Sequence, residues 1–242
     1  MGGFQTITYS VAGGIAYVAL NRPHVLNAYN VEMRDELYQA LEAVRDDNEV
    51  SIGVLRGEGR AFCVGADLTE FGTAPSQIVA RDVRWERDIW GMFLSISKPL
   101  IASIHGYCLG SGVEIALLCD IRIASDDTVF GMPEVSLGMI PAAGGTQTLP
   151  RTIGISRALE MLLVRNRFGA SEALGLGLVT RVVERGGLVA ETEATARRFV
   201  SMNRGAVRAV KAAVWQGADL PLDSALDLET RLALRSMATR EN

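Results

Sequence analysis

Short apolar runs separated by glycine open the chain. Residues 5–10 and 15–20 read as strands, and Gly13-Gly14 between them supplies the turn of a hairpin. The period then changes: Met33, Leu37, Leu41 and Val44 recur at helical spacing behind Asn30, a favoured N-cap residue, which predicts a helix from there to about Asp46. Residues 51–56 are expected to form a buried strand. The stretch 75–95 reads as a second helix, with Ile78, Val83, Trp85, Ile89 and Phe93 apolar and charges between them, and Pro99 ends the run.

An isoleucine-rich strand at 100–104 leads through Gly106 into a turn and a helix around 113–119, and two more strands follow at 121–124 and 128–130. The recurring unit is strand, strand, helix. It predicts a stacked or coiled α/β architecture in which loops at strand ends carry the chemistry. From about residue 186 the periodicity is wholly helical, at 188–202, 204–216 and 220–237. We therefore expect a core domain over residues 1–186 and a helical region over 187–242, the latter suited to docking on a neighbour or on phosphates because residues 151–242 carry 14 basic against 10 acidic groups.

Composition changes this picture at a few points. At 48% hydrophobic residues, a chain of 242 can bury a substantial core. Its 28 acids and 24 bases give a formal net charge of -4, which speaks against a nucleic-acid binder. Cys63, Cys108 and Cys119 are odd in number, lie in apolar surroundings without a C-x-x-C spacing, and read as reduced core residues. No signal segment opens the chain, and no run approaches the roughly 18 apolar residues of a spanning helix, so a cytoplasmic protein without membrane contact is expected. His24 and His105 have no metal-ligand spacing, and no metal site is expected.

Two acids stand out. Glu114 follows Gly106-Tyr107-Cys108-Leu109-Gly110-Ser111-Gly112-Val113, and Glu134 sits within Phe130-Gly131-Met132-Pro133-Glu134-Val135-Ser136-Leu137. Carboxylates are seldom buried without partners, so acids in such apolar, glycine-rich stretches ask for a reason. The glycines spell G-x-x-x-G-x-G, and Ile115 stands where a dinucleotide fingerprint needs a small residue. No lysine follows a glycine and no G-x-S-x-G occurs, which removes a P-loop and a hydrolase elbow. A glycine turn entering a helix does offer unpaired N–H groups to a developing negative charge. Gly65-Ala66 after a strand could supply another. Each feature also has an ordinary reading: tight turns for the glycines, a helix-dipole partner for Glu114, a loop acid for Glu134 and a cap for Asp67.

Asn21-Arg22-Pro23 with Leu26-Asn27-Ala28, then Gly65-Ala66-Asp67-Leu68, Lys98-Pro99 through Asp120, and Phe130 through Gly145 resemble the enoyl-CoA hydratase/isomerase (crotonase) family, in order from about residue 4 to residue 238. The resemblance implies a crotonase-like spiral of strand-strand-helix units, a C-terminal helical region used in trimer assembly, and an acyl-CoA thioester substrate with no cofactor beyond the coenzyme A it carries. It implies that the amides of Ala66 and Ser111 form an oxyanion hole, that Glu114 and Glu134 are the acid/base pair of a hydratase, and that Val25, Leu26, Gly65, Asp67, Leu68 and Gly110 contact substrate. A homotrimer or dimer of trimers is the expected assembly. Ser111 stands where the family commonly has glycine, Ala142 and Thr148 where it often has Gly and Arg, and Asn242 falls short of its usual end. A double-bond isomerase would need the oxyanion hole and Glu134 without water activation. A silent assembly subunit would be expected to lose one acid, and both are present here.

Overall fold

The computed structural model describes residues 3–238 except 77, 80, 81, 84, 85 and 166. β1 (Ile7–Ala12) and β2 (Ile15–Leu20) form the expected hairpin, paired from Ile7 with Leu20 to Ala12 with Ile15. The first strand begins two residues later than its sequence suggests. α1 (Val31–Asp46) starts where predicted, with the Asn30 side chain accepting from the Met33 N–H at 3.0 Å. Its apolar stripe, Met33, Leu37, Leu41 and Val44, is fully buried, and truncating one such leucine to alanine costs about 2–5 kcal/mol.

Next come β3 (Ile52–Gly57), α2 (Ile89–Ser95), β4 (Leu100–Ile104), β5 (Tyr107–Leu109), α3 (Ser111–Leu117), β6 (Ile121–Ser125) and β7 (Val129–Gly131). Three helices not anticipated from the pattern follow, α4 (Gly145–Ile153), α5 (Ile155–Leu163) and α6 (Ala170–Leu176), with β8 (Phe168–Gly169) and β9 (Arg181–Val183) around the last. The chain closes with α7 (Leu188–Val200), α8 (Arg204–Gly217) and α9 (Leu222–Ala238).

Two sheets share these strands. The larger runs β1-β2-β3-β4-β6-β9, parallel beyond the hairpin, and the smaller runs β5-β7-β8. Each turn of the chain contributes one strand to each sheet before a helix: β4, β5 and α3 make one unit, and β6 and β7 begin the next. The preceding turn joins the small sheet through Cys63, bridged to Cys108. This is the coiled strand-strand-helix architecture expected of the sequence. On the large sheet Ile15, Ile52, Val54, Ile101 and Ile123 pack one face against Leu188 and Ala196 of α7, while Ala16, Val18, Leu20, Leu55, Ala102 and Ile104 build the main core on the other.

The predicted helix over 75–95 is corrected. Asp88 adopts a non-helical backbone, φ −76° and ψ 82°, and its side chain accepts from the Gly91 N–H, so α2 begins afresh at Ile89. A side-chain oxygen that caps a new helix cannot sit inside an older one. Residues 77, 80, 81, 84 and 85 of that prediction lie outside the described residues. α8 is pinned to the core by Asp120, which accepts from Lys211 Nζ at 2.8 Å, from Trp215 Nε1 at 2.7 Å and from the Leu100 N–H at 2.7 Å. Val210, Val214, Leu222 and Leu226 of α8 and α9 remain exposed. Among the described residues no helix is long and apolar enough to cross a membrane.

Candidate active site

Two turns from different units of the coil meet face to face. The segment after β3 is zipped onto β5, with the Cys63 N–H donating to Tyr107 O at 3.1 Å and the Leu109 N–H to Cys63 O at 2.9 Å. Both segments then turn on glycines in the left-handed region, Gly65 at φ +102° and Gly110 at φ +50°. A Cβ on Gly110 would lie 2.9 Å from Glu134 Oε1, so a side chain there would push that carboxyl aside, and the left-handed backbone itself favours glycine. The residues that follow, Ala66 and Ser111, carry N–H groups that donate to no protein acceptor among the described residues. Both line one cavity of about 930 Å³. Two uncommitted donors on touching turns can share one acceptor oxygen.

The first turn is splinted from outside. Tyr29 donates its N–H to Gly65 O and accepts from the Asp67 N–H, both at 2.8 Å. Arg22 pairs with Asp67 at 2.8 Å and donates to Ala28 O at 2.6 Å. Asp67 also accepts from Thr69, and these hydrogen bonds, that of the Thr69 hydroxyl first and Arg22 next, hold its carboxyl below the ordinary aspartate range.

Glu114 lies one turn into α3 and is 2% exposed. Its Oε1 accepts from the Ala143 N–H at 3.0 Å and the Gly145 N–H at 2.9 Å, where α4 begins. Two main-chain donors therefore fix its position. Glu134 opens a single 3₁₀ turn, Glu134–Leu137, after Pro133. Its Oε2 is buried and has no hydrogen-bond partner among the described residues. Burial raises its pKa above the ordinary glutamate value, its own backbone N–H opposes this, and the charge of Glu114 adds to the rise. Both acids line the cavity with Ala66 and Ser111.

Of the residues expected to contact substrate, Leu26, Gly65, Leu68 and Gly110 line this cavity. Val25 and Asp67 do not: Val25 is exposed and Asp67 is committed to Arg22 and Thr69. Several lining residues were not singled out in the sequence, among them Tyr29, Trp90, Met139 and Ile140. Tyr29 stands beside the Leu26-Asn27-Ala28 motif, and that adjacency was the available signal. The two donors to Glu114 are backbone groups and left none. The three thiols are buried and unlinked, and burial pushes Cys63 and Cys119 up to about 12 and Cys108 well above its ordinary value.

The fold recurs in known proteins. The family model described as enoyl-CoA hydratase/isomerase matches residues 10–242. A crotonyl-CoA hydratase of Syntrophomonas wolfei is 37% identical over 228 residues, 93% of this chain and 87% of its own. An (E)-benzylidenesuccinyl-CoA hydratase of Thauera aromatica is also 37% identical, over 90% of this chain and 85% of its own. The solved enoyl-CoA hydratase subunit I of Geobacillus kaustophilus superposes with a TM-score of 0.92 at 38% identity, covering 98% of this chain and 91% of that one. With its coiled crotonase fold and a family match that runs through both turns and both acids, the chain belongs to the enoyl-CoA hydratase/isomerase family.

Proposed function

We propose that the chain catalyses the reversible hydration of a 2-enoyl-CoA thioester to the 3-hydroxyacyl-CoA. The observation that carries this reading is the convergence on one cavity of two uncommitted main-chain N–H groups and two carboxyl groups in unlike environments. The thioester oxygen accepts from Ala66 and Ser111. Glu114 takes a proton from a water as its oxygen bonds to the β carbon, and the π electrons of the double bond move to the thioester oxygen. The resulting enolate collapses, and the α carbon takes a proton from Glu134. Transfer of the proton from Glu114 back to Glu134 resets the pair.

Environment divides the two roles. A carboxyl that burial drives toward its protonated form suits the donor, Glu134. A carboxyl held by two backbone donors suits the acceptor that must keep a water in place, Glu114. Each fixed amide contributes about 10²- to 10³-fold, and a positioned acid or base about 10²- to 10⁴-fold. The apolar walls, including Leu26, Leu68, Trp90 and Ile140, suit a hydrocarbon acyl chain. Assembly as a homotrimer or dimer of trimers is supported by the exposed apolar residues of α8 and α9.

The test is loss of the conjugated enoyl absorbance over a panel of 2-enoyl-CoAs, with the product identified. Glu114→Gln and Glu134→Gln should each lower kcat at least about 100-fold. The reading fails if either variant hydrates at the wild-type rate. It also fails if the only product is an enoyl-CoA with its double bond moved, which would identify an isomerase.

A further inference from the structure

The two amides at the thioester are aimed by different means. In a trans peptide the C=O and the following N–H share one plane and point in opposite directions, so whatever holds the carbonyl also directs the N–H. Gly110 O accepts from the Val113 N–H at 2.8 Å and the Glu114 N–H at 3.1 Å, so the first turn of α3 itself fixes the peptide that carries the Ser111 N–H. Gly65 O, across the peptide bond from the Ala66 N–H, accepts from the Tyr29 N–H at 2.8 Å. The Ala66 N–H therefore points away from Tyr29. Its support is not local, because it comes from a distant part of the chain.

Tyr29 and Ala66 meet in an isolated bridge outside the named strands, so two main-chain hydrogen bonds do what a row of them does in a sheet. Arg22 reinforces this bridge. Its Nη1 donates both to Ala28 O at 2.6 Å and to Asp67 Oδ2 at 2.8 Å, which ties the residue before Tyr29 to the residue after Ala66. Arg22 is anchored in turn, its N–H donating to Asn27 Oδ1 at 2.8 Å. Asn27 is fully buried, and its Nδ2 donates to Glu58 O at 2.9 Å and Ala61 O at 2.8 Å. The side chains of Arg22 and Asp67 are 16% and 11% exposed, so this pair is screened less than a surface ion pair and can hold a geometry.

We infer that Arg22 is a positioning residue for the reaction: by clamping Asp67 to Ala28 it keeps the Gly65–Ala66 peptide plane turned so that the Ala66 N–H meets the thioester oxygen. The inference rests on the reading of Ala66 as a donor to that oxygen. It gives Arg22 no contact with substrate. Fixed amides stabilise a developing enolate only while they are already aimed at it, so the clamp acts on the step that forms the enolate. Ser111, aimed by its own helix, is independent of it.

The test is Arg22→Met, which keeps the stem and removes the donors, with Asp67→Asn as a milder second variant that keeps the shape and removes the charge. Both are assayed at temperatures where circular dichroism shows them folded. In Arg22→Met, hydration kcat should fall about tenfold or more, with KM within about twofold of wild type. Exchange of the α protons of butyryl-CoA in heavy water passes through the same enolate without water addition, and should fall by the same factor. A conjugated dienoyl-CoA bound to the enzyme absorbs further to the red as its thioester oxygen is polarised, and this shift should shrink in both variants. The double variant should be no slower than Arg22→Met, because one clamp is broken either way. A folded Arg22→Met with a lower melting temperature but the wild-type kcat and red shift would overturn the inference, leaving the ion pair purely structural. Hydration that falls while α-proton exchange holds would overturn it too. A wild-type chain that exchanges α protons yet adds no water sinks the hydratase reading instead, and the exchange rates and red shifts of the variants still decide the role of Arg22.

Discussion

Gly145 donates its N–H to Glu114 Oε1 at 2.9 Å, and a Cβ placed on Gly145 would stand 2.9 Å from that same oxygen. The same Cβ would fall 2.7 Å from Met132 Cε. A side chain at this position would therefore force the Glu114 carboxyl and the Met132 methyl to shift.

Gly145→Ala should consequently displace Glu114 without removing it. Under the proposed mechanism hydration kcat falls about 10²-fold, approaching the loss in Glu114→Gln. Steady-state kinetics on the two variants side by side check this. A Gly145→Ala enzyme at full rate would show that the placement of Glu114 is not limiting.

Ser111 is proposed to act through its N–H and not its hydroxyl. Ser111→Ala should therefore keep the wild-type rate. Ser111→Pro removes the N–H at the first position of α3, where proline is tolerated, and should lose about 10²- to 10³-fold in kcat. Circular dichroism on both variants separates this loss from misfolding. Equal rates in the two would exclude the amide as an oxyanion donor.

Glu134 sets a pH dependence whose sign is fixed. Its pKa in the folded protein lies above the ordinary value of 4.5, chiefly through burial. A proton donor with a raised pKa is lost as pH climbs through that pKa, so hydration should decline on the alkaline side. Stability follows the same sign: the contribution of the protonated group is full below the ordinary value and disappears as pH rises through the folded one. Glu134→Gln should melt higher than wild type at neutral pH, and the difference should close in acid. Melting curves across pH check this, and a Gln variant that melts lower at neutral pH would contradict it.

Much of the fold was legible because its signals are local. Asn30 caps α1, and Met33, Leu37, Leu41 and Val44 form its buried stripe, so spacing alone located that helix. The break before α2 was not legible, because apolar spacing continues through Asp88 while a single side-chain hydrogen bond restarts the helix there. Glu114 and Glu134 drew notice as charges in apolar stretches. What the chain order concealed was their support: Ala143 and Gly145 act through backbone atoms about thirty residues from Glu114, and only the fold brings them together.

Asp120 ties α8 to the core through three donors. Asp120→Ala strands the Leu100 N–H and leaves the Lys211 ammonium without its carboxylate, and should cost about 2 kcal/mol or more in denaturant unfolding. If α8 and α9 carry the assembly, this variant should also shift the proposed trimer toward smaller species by light scattering. Unfolding at the wild-type midpoint would show that the tie contributes nothing.

Cys63 and Cys108 lie side by side beneath the two turns, and with Cys119 they are buried with pKa values driven upward. Thiolate is the form that reacts with alkylating reagents. Iodoacetamide should accordingly leave the intact protein unmodified and capture all three sulfurs only when the coil opens, so the labelling rate becomes a clock for unfolding of the layer that carries the chemistry.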